Sequence, residues 1–454
     1  MTAVETHQSA TTVDADGCSA STSFEFDGSE LIRTLKIGDL EAKSAVTVER
    51  PSGDNLGDWW LQYLKGCSPR SLSPVSRELR FAELFCGSGG LALGAAQACA
   101  ELGIQPRSVA AVDHDPEAVG VYAANHYPDI TSTDSVSVLV DYRVKGAGES
   151  ATFRYEPELL EPAWTELVGQ IDVLFAGPPC QGHSNLNNHS RRDDLRNELY
   201  LTVPAMAIAL QAPVVVIENV PAVVHDRTGV VSTTINLLQE AGYAVETGVL
   251  KADAMGWAQR RSRFFVIASR LAAPLPVSAV AELLADTPRS VDWITKAASA
   301  LPPTHHMLRQ PELSQENLRR INWLFENEAY DLPLSERPEC HQDGTTYMSV
   351  YGRMKPAKPA PTITTGFMTP GRGRFIHPTE RRTLTPLEAA RIQGFPDTYD
   401  FNDPAGGAPT SQKLGKWIGD AVPMPLGYAA TLAAIGASLN QQHGLGRLIS
   451  QQRL

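Results

Sequence analysis

Ile171-Asp-Val-Leu-Phe-Ala-Gly-Pro-Pro-Cys-Gln-Gly-His183 opens as an apolar run and closes on turn residues and a lone thiol. A run this short, stopped at Gly177–Pro178–Pro179, reads as a buried parallel strand. Proline fixes φ and has no N–H, so the pair forms a stiff, non-helical exit. Cys180 then stands at the carboxyl end of a strand, where open α/β sheets place their chemistry. A single cysteine is more often a small buried hydrophobe. The strand end, the two prolines and the polar stretch Gly182–His189 point instead to a nucleophile.

Upstream, Leu79–Phe85 is a second strand candidate, followed by Cys86-Gly-Ser-Gly-Gly-Leu-Ala92 and an Ala/Leu-rich helix from Leu91 to Leu102. Glycines there let the backbone turn sharply and approach a ligand at a helix N-terminus. Ser108–Val112 is a third strand, ending in Asp113. That acid lies 24 residues past Gly89, near the spacing at which a carboxylate meets a ribose hydroxyl. The pattern fits an adenosine-containing cofactor, and a dinucleotide remains open on these residues alone. Downstream, Val214–Ile217 is another buried strand, ending in Glu218–Asn219–Val220–Pro221. Gln259-Arg-Arg-Ser-Arg263 leads into the strand Phe264–Ala268. On a strand Gln259, Arg261 and Arg263 share one face, where arginines orient and hold an acid.

Pro179–Cys180–Gln181 resembles the nucleophile motif of the DNA cytosine-5 methyltransferases, and with it six or seven motifs match in order from Phe81 to about Ala430. The resemblance implies an α/β fold: a Rossmann-like, S-adenosylmethionine-dependent methyltransferase sheet with a smaller, irregular target-recognition domain. It implies S-adenosyl-L-methionine as cofactor, bound by Phe85, Gly87, Gly89 and Gly90. Phe85 would pack on adenine, Asp113 would take the ribose, and His114 and Asp134 would flank the adenine. Leu199, in Asp194–Tyr200, would touch the cofactor too. Cys180 would add to C6 of a flipped-out cytosine in double-stranded DNA, Glu218 would contact the ring nitrogen, and Arg261 and Arg263 complete the catalytic set. Arg382–Pro396 resembles the motif that braces the recognition domain. Gly419–Pro423 resembles the last motif, which returns to the cofactor. Asp420 stands where most relatives have Asn. A restriction endonuclease acting separately is the implied partner. A tRNA cytosine-5 methyltransferase and a catalytically silent DNA-binding relative are the alternatives.

Four segments are expected: an N-terminal extension over 1–75, disordered to about residue 22; a catalytic and cofactor-binding domain over 76–270; a recognition domain over 271–380; and a return segment with a C-terminal helix over 381–454. Thr385–Glu388 reads as a capping box with Pro at the first helical position. Apolar residues make up 43% and charged residues 20%, an ordinary globular balance. No stretch approaches roughly 18 unbroken apolar residues, so no membrane span is expected, and the N-terminus lacks a secretory pattern. Cys18, Cys67, Cys86, Cys99, Cys180 and Cys340 include no C-x-x-C pair. That argues against a zinc or disulfide scaffold, fits a cytoplasmic protein, and leaves no metal ligand set. The net charge of −12 opposes DNA, but residues 256–382 hold 17 basic and 12 acidic side chains, a local +5. Arg353, Lys355, Arg372 and Arg374 are the first candidates for DNA contact.

Overall fold

A computed structural model describes residues 10–15, 18–73, 75, 77–179, 199–226, 228–342, 349–439 and 444–448. Cys180 and residues 181–198 lie outside them. The chain opens as an antiparallel meander of β1 (Ala10–Ala15), β2 (Cys18–Asp27), β3 (Glu30–Ile37) and β4 (Leu40–Thr47). After α1 (Asn55–Leu64), the short β5 (Arg70–Ser71) joins β4. Gly28 and Gly38 supply the positive φ, 61° and 56°, that two-residue hairpin turns require. The disorder expected to about residue 22 does not extend to β1 and β2. Ala20, Thr22 and Phe24 alternate inward, which gives a Ser/Thr-rich stretch one buried face.

Arg33 on β3 is 2% exposed and donates to Glu101 Oε2 at 2.8 Å. Trp59 Nε1 and Gln97 Nε2 donate to Glu101 Oε1, and the Tyr428 hydroxyl donates to Oε2. A buried charge pair is tolerable when its remaining lone pairs are used, as they are here. This network bonds the N-terminal sheet to the helices that carry Glu101 and Tyr428.

The central sheet follows. β6 (Arg77–Leu84), α2 (Gly90–Glu101), β7 (Ile104–Val112), α3 (Pro116–His126) and β8 (Ile130–Ser132) form its first half. Two small ladders come next, β9 (Val140–Asp141) with β12 (Glu158–Leu159) and β10 (Val144–Lys145) with β11 (Thr152–Phe153). α4 (Pro162–Thr165) then leads to β13 (Val173–Ala176). α5 (Leu199–Ala209), β14 (Val214–Asn219), α6 (Val230–Glu240), β15 (Ala244–Lys251) and β16 (Ser262–Ser269) complete it. The order is β15-β16-β14-β13-β6-β7-β8, with β16 antiparallel to both neighbours and the strands from β14 to β8 parallel. The expected strands are present. Gln259 precedes β16 and only bridges to Ala360.

α7 (Val277–Leu283) and α8 (Val291–Thr295) pack into the main core. A separate small core forms further on, from Ile321 and Leu324 of α9 (Gln315–Glu326) with Leu332 and Ile376. Met307, Met354, Ala360, Ile363, Phe367 and Phe375, all within 271–380, also join the main core. α10 (Pro386–Gln393), α11 (Ser411–Asp420) and α12 (Met424–Ile435) return to the main core. The capping box at Thr385 is present. Ser411–Ile435 is long and apolar enough to cross a membrane, but it is 89% buried within the fold and broken at Ala421–Pro423.

Two stability predictions follow from these buried charges. Glu101→Ala leaves Arg33 buried without its carboxylate and should cost about 3–5 kcal/mol in urea unfolding. A loss below about 1 kcal/mol would show that the pair carries no weight. Glu388 accepts two hydrogen bonds from Arg382, both at 2.7 Å. Burial opposes its charge, but Arg382 and His377 override burial and hold it at about 2. The folded value lies below the unfolded one. The stabilisation is therefore complete above about pH 4.5 and is lost as pH falls toward 2, about 3 kcal/mol in all. Glu388→Gln should flatten the unfolding free energy across that window.

Candidate active site

β13 lies between β6 and β14, and Ala176 pairs with both Leu84 and Ile217. The next residue on each strand is therefore Phe85, Gly177 or Glu218, all at one level. Gly177 N–H donates to Leu84 O. A Cβ placed on Gly177 would sit 3.6 Å from Glu218 Oε2 and 3.9 Å from Phe85 O. The glycine-rich loop and the buried acid thus meet over the start of Gly177–Pro178–Pro179. The Asn219 side chain donates to Pro178 O at 3.2 Å and its carbonyl caps Val220 N–H. Sequence reading took Glu218–Asn219 as one motif and missed that Asn219 tethers the proline exit. Cys180 itself lies outside the described residues.

Glu218 is 7% exposed, with Arg263 Nε 2.5 Å from its Oε1. The shared face expected for Gln259, Arg261 and Arg263 divides in function. Arg261 is directed instead to Ile363 O at 2.7 Å and Gly419 O at 3.4 Å. Gln259 donates to Ile392 O and to Gln393 Oε1. The reason is geometric: Arg263 lies within β16 beside Glu218, while the two earlier residues precede the strand and face α10 and α11. Arg261 is a brace for those returning segments.

The glycine-rich loop Phe85–Gly90 is built from strained backbone. Phe85 takes φ 57°, a region that costs a non-glycine residue about 1–2 kcal/mol. Gly87 takes φ 51°, and a Cβ there would meet nothing within 4 Å. Gly87 N–H donates to Asp113 Oδ2 at 2.9 Å, and Asp115 N–H to Oδ1 at 3.0 Å. His114 is 81% exposed, with Nδ1 3.1 Å from Asp113 Oδ1. Glu83 lies fully buried nearby, and burial pushes its carboxyl well above the usual range. Asp134 is an exposed turn residue bonded to Ser132, and Leu199 opens α5 half-buried. Asp420 ends α11 with Lys416 3.6 Å away, and Lys416 also reaches Asp115. Open space above Gly87, an aromatic residue before it and a strand-end carboxylate beside it fit an adenosine-bearing cofactor.

Residues 79–435 match the model of the C-5 cytosine-specific DNA methylases. The chain belongs to that family. It is 36% identical over 421 residues to the Type II methyltransferase M1.BsuMI of Bacillus subtilis (strain 168), covering 90% of this chain and 94% of the relative. It is 29% identical over 364 residues to the Type II methylase M.HgiDII of Herpetosiphon aurantiacus, covering 76% and 92%. A prophage-encoded DNA modification methyltransferase of E. coli superposes with a TM-score of 0.51 at 23% identity, covering 79% of this chain and 99% of that one. The chain is thus a DNA (cytosine-5-)-methyltransferase, and DNA is its substrate.

Two of the cations first proposed for DNA are committed elsewhere. The Arg353 guanidinium lies 3.8 Å from the Phe325 ring centre and donates twice to Pro378 O. Arg374 donates to Tyr330 O and Arg353 O and pairs with Asp331. Both pin the small core. Arg372 and Lys355 are exposed.

The space at Gly177 separates two substitutions. Gly177→Ala places Cβ at ordinary contact distance and should keep activity within about twofold. Gly177→Val pushes branched methyls toward Glu218 Oε2 and should lower methylation at least tenfold without a change in unfolding midpoint. Equal activity of the two variants in a methyl-transfer assay would show that this point is not confined.

Proposed function

We propose that this methyltransferase transfers the methyl group of S-adenosyl-L-methionine to C5 of a flipped-out cytosine in a specific duplex sequence, through a covalent bond from Cys180 to C6. The reading is supported chiefly by the convergence of Phe85, Gly177 and Glu218 at one strand-end level. Phe85 would pack on the adenine, Asp113 would hold the ribose, and the Gly87–Gly90 backbone would take the methionine end. His114, Asp134, Leu199 and Asp420 would border the group. When bound, S-adenosyl-L-methionine supplies a sulfonium methyl open to nucleophilic attack.

C5 of cytosine is a poor nucleophile. The Cys180 thiolate would add to C6 and turn the ring into an enamine, nucleophilic at C5. Glu218, held through Oε1 by Arg263, keeps Oε2 toward Gly177. There it would share a proton with N3 and stabilise the charge that develops on addition. After transfer, a base removes the C5 proton and the Cys180–C6 bond breaks, restoring the thiolate and the aromatic ring. The cytosine must leave the duplex to reach these groups, at a cost of a few kcal/mol. The segment 271–380 would choose the sequence. The similarity to M1.BsuMI and M.HgiDII supports a restriction–modification role, with an endonuclease acting separately.

Duplex DNA carrying 5-fluorocytosine at the target should trap the enzyme, because fluorine cannot leave as a proton does. Cys180→Ser should abolish the trapped species while cofactor binding stays within about twofold. Undiminished trapping by that variant would remove Cys180 from the mechanism.

A further inference from the structure

The glycine-rich loop has a back side, and two side chains from distant parts of the chain occupy it. His126 is the last residue of α3, and its Nε2 lies 3.1 Å from Gly89 O and 3.1 Å from the Tyr399 hydroxyl. The Tyr399 hydroxyl donates to Ser88 O. A carbonyl oxygen only accepts, so Nε2 carries the hydrogen and His126 donates. Desolvation lowers the His126 pKa to about 4, so the ring is neutral at pH 7. Burial pushes the Tyr399 phenol well upward, so it keeps its proton.

The fit leaves no slack. Gly89 takes φ 87°, and a Cβ there would stand 2.5 Å from His126 Nε2 and 2.7 Å from the Tyr399 oxygen. The segment that carries Tyr399 is itself fastened to α3. Asn125 Nδ2 donates to Asp400 O, and Asp400 N–H donates back to Asn125 Oδ1. Tyr399 also packs its ring on Phe395 and Phe401. On the other side, Ser88 Oγ donates to Trp417 O of α11.

We propose that His126 and Tyr399 are positioning residues for the methyl donor: together they hold the Ser88–Gly89 backbone in the shape that receives it. The inference rests on the S-adenosyl-L-methionine reading of the loop. The loop's carbonyls are turned back into the protein and satisfied there, which leaves the open side above Gly87 for the ligand. Neither side chain needs to touch the donor. Its shape is therefore set jointly by α3 and by a segment some 270 residues further along the chain.

The test uses the full chain with His126→Leu, His126→Gln and Tyr399→Phe. Glutamine places an amide donor at a similar reach, and phenylalanine removes one hydroxyl only. Calorimetry with S-adenosyl-L-methionine should show affinity about tenfold weaker for His126→Leu and Tyr399→Phe, with His126→Gln recovering most of it. KM for the donor should rise in step, while KM for duplex DNA and kcat at saturation stay within about twofold. Amide exchange should quicken at residues 88–90 and not in β6 or β13. Unchanged donor affinity in both damaging variants, with wild-type binding intact, overturns the proposal and spares the reading of the loop. Parallel losses for donor and DNA, tracking the unfolding midpoint, also overturn it, since they mark general destabilisation. Failure of the wild-type protein to bind the donor overturns both.

Discussion

Three parallel strands held in register fix the level at which Phe85, Gly177 and Glu218 stand. Val173 pairs with Phe81 on one side and Val214 on the other, and Ala176 with Leu84 and Ile217. All four residues of β13 and all six of β14 are buried. A slip by one residue would turn each side chain to the other face of the sheet, so packing on both faces fixes the register. The level at which the strands end is then fixed as well. Phe85, Gly177 and Glu218 arrive together because their strands cannot slide. Glu218 follows four Val and Ile residues on its strand, and the neighbouring antiparallel strand brings Arg263 to it.

The helix that starts at the glycine-rich loop carries that constraint outward. α2 begins at Gly90 and ends at Glu101, so one rigid rod joins the loop to the buried Arg33 network. It crosses α12 at close range. A Cβ on Gly94 would stand 2.5 Å from Met424 O, and one on Gly427 would stand 3.0 Å from Leu91 O. The small residues that make α2 a poor amphipathic helix are what allow this approach. At the other end of the return segment, Gln393 accepts from Gln259 and donates to Ile418 O and Ala421 O. The first and last segments of the chain thus brace the same helix and loop.

Much of this could be read before the structure. Short apolar runs ended by Gly, Pro or an acid marked the four central strands, because burial on both faces leaves no room for polar alternation. The capping box marked α10 through local hydrogen-bond chemistry alone. Long-range partners were not legible. Nothing near His126 announces Tyr399, and nothing near Arg33 announces Glu101; each pairing is set by how helices cross. β1 and the start of β2 read as disorder because Ser and Thr dominate both states, and the inward alternation of Ala20, Thr22 and Phe24 is short. The Gln259–Arg263 face was read as one unit since strand periodicity ignores where the strand begins.

Charge was the least reliable guide, and the reason is physical. A segment of net +5 suggests a DNA-facing surface only if its cations are unspent. Arg261, Arg263, Arg289, Arg353, Arg374 and Arg382 hold carboxylates, backbone carbonyls or aromatic rings inside the fold. Guanidinium suits that work, since its planar fork satisfies several buried acceptors at once. Arg260, Arg309, Lys355, Lys358 and Arg372 remain exposed. Arg260 is the most telling of them. Its own carbonyl accepts from Thr362 and its N–H donates to Ala360 O, at the seam between the central sheet and the stretch 360–362. A spent arginine lowers the segment's effective charge without lowering its formal charge. The formal charge of the segment therefore overstates the cations left free to meet phosphate.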